Sequence, residues 1–164
     1  MERFEEPQAL NDVQAFHHTF DLPVLAEPSI PSVQRCTLRV NLLEEELREL
    51  KEAIEDKDLV AIADALCDLQ YVLSGAILEF GLGEPFHQLF SEVQRSNMSK
   101  RCLTLEEAHQ TQAHYEAKDG TESFVVAKDE AFLVYRKHDK KVLKSVNYSP
   151  ADLESIIPGG KSKP

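Results

Sequence analysis

The segment CTLRVNLLEEELRELKEAI, residues 36–54, decides the fold class of this 164-residue chain. Its apolar residues recur at alternating spacings of four and three, the pattern of an amphipathic helix in a bundle. The residues that define this seam are Cys36, Val40, Leu43, Leu47, Leu50 and Ile54. The segment therefore predicts a long helix that Ser32 caps and that runs to about Asp56.

A second seam with the same helical period follows immediately. It predicts a helix that Asp58 caps, that runs to Phe80 and that Gly81 stops. The seam consists of Leu59, Ile62, Leu66, Leu69, Leu73, Ala76 and Phe80. Because the turn at 55–58 is short, the two long helices must be antiparallel and must face each other.

Three shorter helices are predicted around this pair. The first covers about 11–20, the next begins at Pro85 and ends near 97–100, and the last begins at the capping box Thr104–Glu107 and ends by Gly120. The short apolar or β-branched runs 124–127, 132–136 and 142–145 then predict an antiparallel β meander. The expected fold is mainly α, a bundle of four to five helices with a small C-terminal meander.

The domain organisation follows from this change of period. Residues 1–120 are expected to form the helical bundle, and residues 121–164 an appendage with a tail. A segment of about 45 residues buries too little apolar surface to be stable alone, so the appendage is not expected to be independent.

The charge distribution excludes several classes of partner. The net charge is -11, and the whole excess of acid lies in the first hundred residues. Nucleic-acid polymers and anionic membranes need a basic face, so neither is an expected partner. The three cysteines follow no pairing pattern, and neither a signal peptide nor an apolar run of about 18 residues is visible. The cytoplasm is therefore the expected compartment.

Five acidic residues on the two long helices predict a metal site. Glu45, Glu46 and Glu49 lie away from the first seam, and Asp64 and Asp68 share one face of an otherwise apolar helix. We expect these two aspartates to be buried, since a helix that is apolar on nearly all sides is a buried helix. Carboxylates this close need divalent cations, and oxygen ligands alone select Mg²⁺ or Mn²⁺, with open positions for phosphate.

Two further roles for these acids stay open. In the first, Asp64 and Asp68 form ion pairs with Arg35 or Arg39 of the neighbouring helix. In the second, the bundle holds two iron ions, which requires two Glu-x-x-His motifs. The motif at 84–87 stands at the first turn of a predicted helix and outside the two long helices that carry the five acids, which disfavours the iron site.

Three motifs taken in order resemble one enzyme family. They are Glu45-Glu46-Leu-Arg-Glu49, Asp64-Ala-Leu-Cys-Asp68 and Glu92-Val-Gln-Arg95-Ser-Asn97-Met-Ser-Lys100. Together they resemble the MazG-like all-α nucleoside triphosphate pyrophosphohydrolases over residues 10–116. The group includes dimeric dUTPases and phosphoribosyl-ATP pyrophosphohydrolases. The resemblance implies Mg²⁺-dependent cleavage of a nucleoside triphosphate, or dNTP, to the monophosphate and pyrophosphate.

The resemblance also implies roles for individual residues. Metal ligands would be Glu45, Glu46, Glu49 and Asp68, and either Glu46 or Glu49 would orient or deprotonate the attacking water. Asp64 stands one residue before the position where the family often has Glu, and Ala65 occupies that position here. Asp64 is therefore expected as an additional ligand. The substrate contacts implied at the end of the fourth helix are Asn97 and Lys100, with Arg95 as a further candidate.

Two alternatives to this activity remain, and one assembly is expected. The substrate could be phosphoribosyl-ATP, or the chain could be a non-catalytic helical module whose acidic face binds a basic partner. The long helices carry more apolar surface than one small bundle can cover. A homodimer or homotetramer is therefore expected, in agreement with the resemblance.

Overall fold

The computed structural model describes residues 3–157 and is mainly α-helical. The helices are α1 (Ala9–Thr19), α2 (Val33–Asp56), α3 (Leu59–Glu79), α4 (Phe86–Met98) and α5 (Leu105–Asp119), followed by β1 (Ser123–Lys128) and β2 (Ala131–Arg136). Among the described residues this gives five helices and one hairpin, which confirms the predicted mainly-α fold.

Capping residues begin three of the helices, α2, α3 and α5, where the sequence predicts. Ser32 Oγ accepts a hydrogen bond from Arg35 N at 3.4 Å, and Asp58 Oδ1 accepts from Val60 N at 2.9 Å. Thr104 Oγ1 accepts from Glu107 N at 3.1 Å. Each of these bonds satisfies a backbone N–H that has no partner within its own helix.

The chain divides into two compact units, one ending at Phe86 and the other beginning at His87. In the first unit, α2 and α3 form an antiparallel pair, and α1 packs against α3. Small residues at buried positions of this pair, Ala53, Ala65 and Gly75, let the helices approach closely. A Cβ atom at Gly75 would lie 2.6 Å from Arg39 Nη1, so a larger residue there would displace the Arg39 guanidinium.

The face of α2 that packs on α3 differs from the predicted seam. Arg39 and Ala53 are buried and Glu46 is half-buried, whereas Val40 and Leu47 are more than half exposed. The acidic side of α2 therefore faces α3, and much of the predicted seam is exposed in the single chain. The prediction of the helix is confirmed, but its inward face is only partly the predicted one, since Cys36, Leu43 and Leu50 are half-buried while the other three seam residues are exposed.

The connector between α1 and α2 crosses the end of α3. Leu25 N donates to Leu78 O at 3.0 Å, and Ser29 N donates to Phe80 O at 3.0 Å. Gly81 ends α3 with a φ of +66°, and a Cβ there would lie 1.9 Å from Glu27 O. Only glycine combines this left-handed backbone with this close approach.

The second unit has a small core beneath a hairpin. Cys102, Ala108, Val134 and Leu143 are its buried apolar residues. Strands β1 and β2 are antiparallel, with Ser123 opposite Arg136. The third predicted strand, 142–145, makes one isolated bridge, between Val142 and Tyr135. The expected three-stranded meander is therefore a two-stranded hairpin, and residues 142–145 do not form a strand. The domain boundary near residue 120 falls inside this unit and stays a prediction.

Within the described residues, one helix, α3, is long and apolar enough to cross a membrane by length and composition. Core helices of soluble proteins meet the same criteria. The middle of α3 carries Asp64 and Asp68, and charged residues are costly in a bilayer. The expectation that no membrane is involved therefore stays a prediction.

Candidate metal and substrate site

Five acidic residues gather at the middle of the α2–α3 pair, and we call them the carboxylate cluster. The cluster consists of Glu45, Glu46, Glu49, Asp64 and Asp68. Glu46 is half-buried at its centre, and the other four side chains are exposed. The prediction that Asp64 and Asp68 are buried is wrong for the single chain, because the surrounding apolar face of α3 is itself partly exposed.

The electrostatics of Glu46 show that the cluster is close enough to interact. Partial burial raises the pKa of Glu46, and the charge of Asp68 raises it further. Glu49, Glu45 and Asp64 act in the same direction with smaller effects. Negative charge from both helices therefore converges on one side chain, as the short turn between them predicts.

No cation neutralises the cluster among the residues that the structure describes. Arg35 and Arg39, the predicted ion-pair partners of Asp64 and Asp68, bind Glu79 instead. Arg35 Nε donates to Glu79 Oε2 at 2.9 Å. Burial alone would raise the pKa of Glu79, yet the hydrogen bonds from the two arginines hold it below its usual value. The ion-pair hypothesis for the two aspartates is therefore wrong.

Glu79 belongs to a buried network that the sequence did not reveal. Its side chain is fully buried, and Arg39 Nη2 lies 3.1 Å from Nε2 of the buried His17. His17 Nδ1 lies 2.8 Å from Pro23 O, which can only accept, so Nδ1 carries the proton and Nε2 accepts from Arg39. The network ties α1 and its connector to α2 and α3.

The carboxylate cluster fits a hard divalent cation by its donor chemistry. All five groups offer oxygen ligands. A bound cation would relieve the repulsion between Glu46 and the carboxylates around it. In residues 3–157, however, no three acidic, His or Cys side chains lie close enough to form a ready-made metal cage. Binding an ion would therefore require these flexible side chains to turn toward it.

The second unit holds the three predicted substrate contacts. Lys100 Nζ donates to Asn97 Oδ1 at 2.8 Å at the end of α4. Arg95 forms two hydrogen bonds to Glu92, both at 2.7 Å, and a third to Pro150 O at 2.9 Å. The hydrogen bonds from Arg95 and from Asp152 N lower the pKa of Glu92 to about 2. Asn97 and Lys100 thus share one surface, whereas Arg95 is occupied in holding the C-terminal segment.

Two residues near Lys100 are not predictable as site residues from the sequence. Lys144 Nζ lies 4.2 Å from the centroid of the Tyr148 ring, and Tyr148 Oη lies 3.0 Å from Ser96 Oγ. The hydrogen bond with Ser96 lowers the pKa of Tyr148, and the charges of Lys144 and Lys100 lower it further. The run of lysines at 137–144 predicts a solvated hairpin, and no local pattern indicates that one of them returns to α4.

Comparison with known proteins agrees with this arrangement. The model of the phosphoribosyl-ATP pyrophosphohydrolase family matches residues 13–97, just over half of the chain, and the chain belongs to this family. The match places it among the MazG-like all-α nucleoside triphosphate pyrophosphohydrolases, as the motifs predict.

One curated relative is similar over most of the chain. It is an uncharacterized protein of Acanthamoeba polyphaga mimivirus, 28% identical over 159 residues. The alignment covers 85% of this chain and 63% of that protein. The chain thus spans less than two thirds of the length of the curated relative that it matches.

Proposed function

We propose that the chain hydrolyses a nucleoside triphosphate, or a dNTP, to the monophosphate and pyrophosphate in a Mg²⁺-dependent reaction. The observation that carries the proposal is the carboxylate cluster, in which partial burial and the charges of acids from two helices raise the pKa of Glu46, without a neutralising cation among the described residues. Membership of a pyrophosphohydrolase family supports the type of reaction. Cytoplasmic housekeeping of the nucleotide pool is the proposed role.

The cluster has the groups that such a reaction requires. Glu45, Glu46, Glu49 and Asp68 would hold Mg²⁺, with Asp64 as an additional ligand; Mn²⁺ has the same oxygen preference. When bound, the ion supplies charge neutralisation for the triphosphate and a lower pKa for water.

The protein's own acids are proposed to handle the proton of the attacking water. Either Glu46 or Glu49 orients this water and accepts its proton as oxygen attacks the α-phosphorus. The bond to the oxygen that bridges the α- and β-phosphates then breaks, and pyrophosphate leaves. The acid that accepts the proton must keep an oxygen that is not bound to the metal.

The carboxylate cluster also leaves the two alternatives to be tested. Phosphoribosyl-ATP as substrate is favoured by the name of the matching family. A non-catalytic acidic module is favoured by the exposure of four of the five carboxylates, which leaves them accessible to a basic partner. The two alternatives are separated by whether any nucleotide is cleaved at all.

A direct assay tests the activity. The full chain is incubated with Mg²⁺ and a panel of NTPs, dNTPs and phosphoribosyl-ATP, and released pyrophosphate is measured with and without EDTA. We expect release from at least one compound, loss with EDTA, and loss in Glu46→Gln but not in Glu55→Gln, an exposed acid of α2 outside the cluster. If the folded wild-type protein cleaved none of these compounds, the proposal that the chain is an enzyme would be wrong.

We also propose that two or more copies associate through the exposed apolar face of α2 and α3. On α2, the more than half-exposed residues Val33, Val40, Leu47 and Ile54 recur at every seventh position. On α3, Leu59, Leu66 and Leu73 repeat with the same period and are also exposed. A repeat of seven is the pattern with which helices pack against partner helices, so a second copy of the same face is the proposed occupant.

A further inference from the structure

The segment that follows the hairpin folds back on the end of α4. Ser145 N donates to Lys100 O at 3.1 Å, and Ser149 N donates to Ser99 Oγ at 3.0 Å. The hydrogen bond between Tyr148 and Ser96 lies between these two attachments in the sequence. The segment 142–150 is therefore held against the surface that carries Asn97 and Lys100.

This return brings a second ammonium group to that surface. Lys144 Nζ stacks on the Tyr148 ring, and Lys100 Nζ binds the Asn97 side chain. Both ammonium groups are near enough to act on the Tyr148 phenol. Neither lysine forms an ion pair with an acidic group of residues 3–157, so the positive charge of this surface is not compensated there.

These groups have the chemistry of a phosphate subsite. Two ammonium groups supply charge, while the phenol of Tyr148 and the amide nitrogen of Asn97 supply further donors. Lysine binds phosphate as a point charge with several donors, and such charge-assisted hydrogen bonds are about twice as strong as neutral ones. Lys144 and Tyr148 lie beyond residue 97, where the family match ends.

We propose that Lys144 and Tyr148 join Asn97 and Lys100, the substrate contacts that the resemblance implies, in a subsite that binds the polyphosphate end of a nucleotide and the pyrophosphate derived from it. The assignment of the ligand as a polyphosphate rests on the proposed function. The role of the C-terminal segment is then to complete the subsite with Lys144 and Tyr148. Lys144 and Tyr148 act in binding rather than in bond cleavage.

Binding of pyrophosphate, measured calorimetrically in EDTA at fixed ionic strength, tests the subsite without turnover. We expect Lys144→Ala to weaken binding about tenfold, as for loss of a charge-assisted contact, and Tyr148→Phe to weaken it less. Lys144→Arg should retain most of the affinity. The matched control is Lys141→Ala, an exposed lysine of the same region, which should bind like wild type. Equal affinities of Lys144→Ala and Lys141→Ala would overturn the proposal.

A spectroscopic readout follows the same subsite independently. In protein with ¹³C-labelled tyrosine, the pKa of Tyr148 should rise when pyrophosphate is added, because the anion offsets the two ammonium charges that lower it. The pKa should also rise in Lys144→Ala without ligand. An unchanged Tyr148 titration at saturating pyrophosphate would contradict the subsite.

The two proposals fail in different ways. Cleavage of a nucleotide with an unchanged KM in Lys144→Ala would refute the subsite and leave the activity intact. Lys144-dependent binding of pyrophosphate by a chain that cleaves none of the nucleotides would refute the activity and leave the subsite intact. If both hold, Lys144→Ala should raise KM about tenfold with little change in kcat, since uniform binding is lost.

Discussion

Glu79 is a buried acid whose charge is balanced by two arginines. Removing one partner of a buried ion pair leaves an uncompensated charge and commonly costs about 3–5 kcal/mol. We therefore expect Glu79→Gln to lower the free energy of unfolding by about this amount at neutral pH, measured by urea denaturation. Glu55→Gln, which changes an exposed acid, should stay within about 0.5 kcal/mol of wild type. A loss no larger than that of the control would show that the network does not stabilise the fold.

The same residue predicts a pH dependence. Folding lowers the pKa of Glu79 below its usual value, because the two arginines outweigh the effect of burial. The stability contributed by the ionised carboxylate is therefore fully present above the usual glutamate pKa and is lost as pH falls through the folded value. Urea denaturation at a series of acidic pH values should show the difference between wild type and Glu79→Gln shrinking as Glu79 protonates.

For Glu46, the expected change of stability with pH has the opposite sign. Its pKa is raised in the folded chain, so wild type loses stability as pH rises through that value. In EDTA, Glu46→Gln should therefore be more stable than wild type at neutral pH, with the difference disappearing below the usual glutamate pKa. The variant should at the same time lose pyrophosphate release. A variant that is less stable than wild type at neutral pH would instead indicate a structural role for this carboxylate.

The residues of the carboxylate cluster show how far sequence reasoning reaches. Helical spacing and a short turn sufficed to gather Glu46 and Asp68, because both are local properties of two adjacent helices. The partners of Arg35 and Arg39 were not predictable, since Glu79 lies 44 and 40 positions away and its pairing depends on the relative rotation of the helices. Lys144 and Tyr148 were not predictable either, because the segment that carries them folds back onto residues of α4 that are far away in the sequence.

At the scale of elements, the end of α3 depends on one glycine. Gly81 has a φ of +66°, and a Cβ there would lie 1.9 Å from the backbone oxygen of Glu27. Gly120 has a similar φ of +72° but open space around it. Gly120→Ala should therefore show only the cost of the left-handed backbone, about 1 kcal/mol, whereas Gly81→Ala should lose more. If both variants lost the same stability in thermal denaturation, the connector would have to move away from residue 81 without cost.

The elements themselves were predicted more reliably than their faces. Periodicity located the five helices of residues 3–157, and caps located the starts of α2, α3 and α5, because both signals lie in contiguous residues. The alternation of apolar residues on α2 identified a stripe, but the stripe could face α3 or another chain. The structure turns Arg39, Glu46 and Ala53 toward α3 and leaves Val40 and Leu47 exposed. The sequence also predicted one strand too many. Residues 142–145 have strand-like side chains, but they do not form a third strand, and Ser145 N donates to Lys100 O instead.

At the scale of the whole molecule, the exposed stripe on α2 is not accounted for by the packing of a single chain. Exposed apolar residues scattered singly are ordinary, but a repeat of seven along a 24-residue helix is the mark of a helix–helix interface. On α3, Leu66 belongs to an exposed stripe with the same period, whereas Asp64 and Asp68 lie on the opposite side of that helix. The stripe and the carboxylate cluster are therefore separate surfaces of the helical pair.

The expected assembly has a direct test in molar mass. A chain of 18.5 kDa should scatter light as a species of about 37 kDa, or as about twice that for a tetramer. Val40→Glu places a charge in the middle of the stripe, where burial in an interface would be costly, and should shift the protein toward monomer. Ile30→Glu makes the same chemical change at an exposed residue of the connector and should leave the mass unchanged. A wild-type protein that stays at 18.5 kDa at high concentration would show that the stripe is not an interface between copies. If Val40→Glu dissociates the assembly and also lowers pyrophosphate release, the carboxylate cluster works only in the associated protein.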